Sequence, residues 1–153
     1  MSARETNGDV LARLVTAARG ARERAYAPYS KYRVGAAILT KSGSVFTGTN
    51  VENASYGATI CAERSAIVQM VAAGEREPVA CAVATGGSEA GSPCGICRQV
   101  LREFTRDMPI ALVAEQKGRL TRRDTTLAKL LPEAFEGRLV KKVKTKEKDK
   151  KRR

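Results

Sequence analysis

Two short motifs hold three of the four cysteines: Cys61-Ala62-Glu63-Arg64, and Pro93-Cys94-Gly95-Ile96-Cys97-Arg98. Each opens a segment whose spacing predicts a helix, one over about 61–73 and one from near 94 to about 107. Three thiolates arriving from two helix N-termini can occupy three corners of a tetrahedron. A fourth corner left to water distinguishes a catalytic zinc from a closed structural one. Three thiolates around a divalent cation leave net negative charge, so a water at the site acidifies toward neutral pH only if nearby positive charge compensates. Two helix N-termini, Arg64 and Arg98 can supply it. Glu63, two residues past Cys61 on the first helical turn, reaches that water without being a ligand and can move its proton.

Other readings of the same residues predict other neighbours. A redox dithiol uses C-x-x-C after a strand but has no role for Cys61 and Glu63. A structural zinc site needs a fourth protein ligand, which here could come only from Cys81 or a carboxylate. Cys81 sits inside the apolar run "VACAVAT" and reads as a small buried hydrophobe. The chain has no histidine, so every Ser-His, Cys-His or His-metal scheme is excluded.

The elements that must position these groups follow from pattern. With 153 residues the chain suits one domain, able to bury roughly two thirds of its unfolded surface. Apolar residues at helical spacing predict a first helix over 8–25, capped by Asn7 or Asp9. "YRVGAAILT", a turn at Gly43 and "VFTGTNV" predict a hairpin, "VACAVAT" (79–85) and "PIALVAE" predict buried strands, and 119–123 is the candidate for a last one. "TLAKLLPEAF" reads as a short helix. The order αββαβαβ predicts an α/β fold, a three-layer α/β/α sandwich around a mixed sheet of about five strands.

Residues 141–153, "KKVKTKEKDKKRR", hold nine of 28 basic and two of 16 acidic residues, so they carry seven of the twelve net positive charges. The expected division is therefore a folded body over 1–140 and a basic, disordered tail over 141–153 that solubilises the chain or touches nucleic acid weakly. No run reaches the roughly 18 apolar residues of a membrane span, and "MSARETNGDV" lacks the apolar block of a signal peptide. A cytoplasmic, membrane-free protein is expected, with thiols kept reduced.

The C-A-E and P-C-x-x-C motifs match the zinc-deaminase signature in its three-cysteine form. Together with "APYSKYRVGAAILTKSG", "GTNVENASYGATICAERSAI", "PCGICRQVLREF" and "LLPEAF", the chain resembles the small tetrameric cytidine deaminases over about residues 10–136. The resemblance implies that Cys61, Cys94 and Cys97 hold one zinc ion per subunit and that Glu63 shuttles protons. It implies that Asn50 and Glu52 hold the ribose, and that the Ala62 backbone contacts the base carbonyl. Tyr32 stands where the family commonly has a phenylalanine lining the pocket. Tyr56 and Phe135 match aromatic positions that complete a neighbouring subunit's site in a homotetramer, Phe135 by stacking on the pyrimidine.

The expected activity is hydrolytic deamination of cytidine and deoxycytidine in pyrimidine salvage, with a free nucleoside as substrate and nucleic acid not required. One rival is a deaminase of a cytosine nucleoside antibiotic of the blasticidin S type, against which "NVENASYG" argues. Another is a nucleic-acid-directed deaminase or a zinc-containing nucleic-acid-binding module. Scarce aromatics and terminal basicity argue against that one.

Overall fold

The computed structural model describes residues 6–137. The elements are α1 (Asn7–Arg22), β1 (Gly35–Thr40), β2 (Val45–Thr49), a single 3-10 turn (Tyr56–Ala58), α2 (Ala62–Ala72), β3 (Pro78–Gly86), α3 (Gly95–Phe104), β4 (Pro109–Gln116), β5 (Arg119–Thr126) and α4 (Leu127–Leu130). One five-stranded sheet has the order β2-β1-β3-β4-β5. Among the described strands only β3 and β4 pair in parallel, so the sheet is mixed as the element order predicts.

Alternation along the strands sends side chains to opposite faces and builds two cores. Ala37, Leu39, Ala80, Ala82, Ala84, Ala111 and Val113 pack against Leu11, Leu14, Val15 and Ala18 of α1. Ala36, Ile38, Cys81, Val83, Ile110 and Leu112 pack against Ala66, Ile67 and Met70 of α2 and Leu101 of α3. The alanine-rich face admits one helix close to the sheet, while the bulkier face fills the space beneath two. This is the three-layer sandwich.

Boundaries moved where tertiary contacts compete with local pattern. Thr6, rather than Asn7 or Asp9, caps α1: its hydroxyl accepts the Asp9 N–H, and the Asp9 carboxylate accepts the Thr6 N–H at 3.1 Å. The helix stops at Arg22, short of Ala25, and Tyr26 turns to donate its N–H to the Asn50 carbonyl. The last strand runs the full eight residues to Thr126 because β4 pairs with it throughout. α4 covers only four residues, since Pro132 disfavours the helical conformation at Leu131. The basic tail, 141–153, lies outside the described residues. Among those described, no helix is long and apolar enough to cross a membrane.

The helix bearing Cys61 and Glu63 is fastened to the edge strand β2. Ser65 Oγ donates to the Thr49 carbonyl (2.9 Å) and Gln69 Nε2 to the Thr47 carbonyl (2.6 Å), which also occupies part of the open edge. Between them lies Gly48, where a Cβ would sit 2.3 Å from the Ala62 carbonyl oxygen and 2.4 Å from the Ala66 nitrogen. These are backbone atoms that no rotamer change can move. Gly48→Ala is therefore expected to push α2 off the sheet and cost about 1–3 kcal/mol, as overpacking does. A denaturant titration should show the lower midpoint, with activity falling further than stability because α2 carries the site.

Candidate active site

Cys61 and Cys94 occupy the N-cap positions of α2 and α3, where Ser, Thr, Asp or Asn usually satisfy the first backbone N–H groups. Neither sulfur makes a cap hydrogen bond, so both thiols remain available at the positive ends of their helices. Cys97, buried one turn into α3, completes the group, and the three sulfurs lie within 4.8 Å of one another. Cys61 Sγ and Cys94 Sγ are 3.8 Å apart, within hydrogen-bonding range and not joined by a disulfide. The Cys61 thiol is pulled down to about 5, chiefly by the hydrogen bond from Cys97, with Arg64 and Cys94 adding to it. The Cys97 thiol is correspondingly raised, since its proton serves its neighbour.

Arg64 lies beside this cluster. Its Nη2 donates to the Thr59 carbonyl at 2.8 Å, while its Nε is buried without a hydrogen-bond partner. A buried cationic nitrogen lacking a neutral acceptor, next to three clustered thiols, fits a centre whose sulfurs carry excess negative charge. The donor set fits zinc: three soft sulfur ligands, with room for a non-protein fourth. Cys81 stands apart in the core, its thiol pushed up by burial, as its apolar surroundings predict.

Glu63, on the first turn of α2, is only 4% exposed. Burial raises its carboxyl above the usual range, and the negative charge at Cys61 raises it further. It lines a hollow of about 190 Å³ together with Cys61, Cys94, Ala62, Asn50 and Tyr32. Tyr32 walls one side, its hydroxyl so near Gly91 that a Cβ there would meet it at 2.6 Å.

Of the remaining sequence-predicted pocket residues, Asn50, Glu52 and Tyr56 divide between two hollows, and Phe135 lies in a separate groove. Asn50 belongs to the first, and both ends of its amide already hold backbone: Oδ1 accepts from Val34 N–H and Nδ2 donates to the Tyr32 carbonyl, each at 2.8 Å. One N–H and one lone pair remain. Glu52 faces an adjoining hollow of about 340 Å³ with Tyr29, Ser30, Asn53 and Tyr56, and Thr59 lines both. Its carboxylate accepts the N–H groups of Tyr29 (2.8 Å) and Ser30 (3.2 Å) and the Ser30 hydroxyl, which chiefly holds it below the usual carboxylate range. Asn50 and Glu52 thus face adjoining chambers instead of one common spot. Tyr56 is 75% exposed with its ring edge-on to Tyr29, and Phe135 is 60% exposed in a groove beside Arg102, away from Glu63.

Residues 9–112 match the family model described as the cytidine and deoxycytidylate deaminase zinc-binding region. The chain belongs to this family. It is 46% identical over 124 residues to the cytidine deaminase of Sporosarcina psychrophila, an alignment covering 80% of this chain and 89% of that protein. It is 44% identical over 122 residues to the cytidine deaminase of Halalkalibacterium halodurans, covering 80% and 91%. Among solved structures, the cytidine deaminase from Burkholderia pseudomallei superposes with a TM-score of 0.75 at 46% identity, covering 81% of this chain and 98% of that one.

Within this deaminase-family chain, Arg98, expected to offset thiolate charge, directs all three of its donors at neutral acceptors around the site. Its Nε donates to the Pro93 carbonyl (2.7 Å), Nη1 to the Leu130 carbonyl (2.7 Å) and Nη2 to the Ser92 hydroxyl (2.9 Å), so its guanidinium holds two backbone carbonyls and one side chain around the site. Sequence reasoning also missed Thr59, Thr85 and Ser92 as lining residues, and Gly48, Ser65 and Gln69 as the fastening of α2. Isolated serines and threonines carry no spacing signal. A glycine interrupting a strand pattern does hint at close backbone approach, and Gly48 was legible on that rule.

Proposed function

We propose that this chain is a zinc-dependent hydrolase that converts cytidine and deoxycytidine, with water, to uridine and deoxyuridine plus ammonia. The observation carrying the reading is a buried carboxyl, Glu63, in the same small hollow as two of three clustered thiols. Zinc held by Cys61, Cys94 and Cys97 supplies the Lewis acidity that makes water nucleophilic near neutral pH. Glu63 takes the proton of that water as its oxygen adds to C4 of the pyrimidine, and passes the proton to N3. It then takes the remaining hydroxyl proton and delivers it to the amino group, so that the C4–N bond breaks and ammonia departs. A carboxyl that burial raises above the usual carboxylate range suits both transfers.

The ribose lies toward Asn50 and Glu52, with the 3′ hydroxyl as the shared contact of the two sugars, and the base meets the Ala62 backbone and the Tyr32 wall. Tyr56 and Phe135, exposed and outside the Glu63 hollow, complete the site of an adjacent copy in a homotetramer. The working unit is residues 1–140, with 141–153 an appendage, and the enzyme serves pyrimidine salvage in the cytoplasm. Cytidine, deoxycytidine and a cytosine-bearing oligonucleotide followed side by side by ultraviolet absorbance test the reading. Rapid loss of signal with both nucleosides and none with the oligonucleotide is expected. Turnover of the oligonucleotide alone would overturn it.

A further inference from the structure

Residues 131–137, which include Phe135, are exposed or half-buried, and Glu133 stands in the left-handed region at φ 54°. So little apolar burial does not hold a segment in place. Polar side chains of α3 do. Arg98 Nη1 donates to the Leu130 carbonyl at 2.7 Å, Gln99 Nε2 to the Phe135 carbonyl at 3.1 Å, and Arg102 pairs with the Glu136 carboxylate. Positions 98, 99 and 102 share one helix face. The same Arg98 guanidinium also grips Pro93 and Ser92, the two residues just before Cys94.

We propose that Arg98, with Gln99 and Arg102, is a positioning clamp that ties the turn carrying Cys94 to the 130–136 segment carrying Phe135, so that metal ligand and aromatic contact are set by one helix face. It rests on the zinc and Phe135 assignments of the proposed function. Its distinctive claim is that Arg98 acts through the directions of its donors and not through its charge. Three donors aimed at three acceptors need the planar fork of arginine; lysine keeps the charge but presents one nitrogen.

Arg98→Lys therefore separates the two roles. With the full chain loaded with zinc, release to a chromophoric chelator should quicken about 10- to 100-fold, the usual effect of losing a group that orients a ligand. Amide hydrogen exchange across 127–136 should quicken with it. Gln99→Leu removes only the Phe135 tie: exchange over 131–136 and the KM for cytidine should rise, with kcat and zinc release unchanged. Wild-type zinc release and exchange in Arg98→Lys would mean that charge suffices and would overturn the clamp. So would wild-type exchange and KM in Gln99→Leu. Absence of cytidine turnover in the unaltered chain would count against the proposed function alone, because exchange and zinc release are read without substrate.

Discussion

Glu63→Gln is expected to lower kcat for cytidine by about 10²- to 10⁴-fold, the contribution typical of a positioned proton-transfer group, and by more if both transfers depend on it. The amide is nearly isosteric, so the hollow keeps its shape, yet it can neither take a proton from water nor return one. The thiols are untouched, and zinc measured by atomic absorption should stay at one per chain. Folding should not suffer, because the substitution replaces a carboxyl that burial disfavours as an anion by a neutral group. Stopped assays on matched wild-type and variant preparations, both assayed for metal, would read the effect. Wild-type turnover in the variant would remove Glu63 from the mechanism.

Cys61→Ala is expected to abolish turnover by a different route. Two sulfurs from α3 alone do not make the three-ligand set, so zinc content should fall well below one per chain and activity should reach background. Stability supplies a second reading. A ligand that binds only the folded state stabilises it by about 4 kcal/mol at a thousandfold excess over its dissociation constant. Added zinc should therefore raise the thermal midpoint of metal-stripped wild-type protein and leave Cys61→Ala unmoved. Cys81→Ala is the control, since Cys81 lies outside the cluster: it should lose some stability through the small void it leaves and keep both zinc and turnover. Zinc-dependent stabilisation that persists in Cys61→Ala would place the metal elsewhere.

The amino-acid sequence by itself determined the chemistry and the layers. Cysteine and glutamate two residues apart at a helix start, and a second cysteine pair three apart at another, place those groups on first turns whatever else the chain does. That is local geometry, and Cys61, Glu63, Cys94 and Cys97 stand where it puts them. Strand alternation likewise settled which side chains of β1, β3 and β4 enter which core. Only the tertiary structure brought residues 33 apart within 4 Å. α2 leads into β3 and α3 into β4, the one parallel pair, so both helices begin at the same end of the sheet. Only the structure separated Arg64 from Arg98, each of which lies just beyond a motif cysteine. Arg64 is the third residue after its capping cysteine and Arg98 the fourth, and a step of about 100° around a helix turns one toward the thiols and the other toward Leu130. Spacing along a chain fixes direction within one element, whereas the distance between elements depends on how the sheet assembles them.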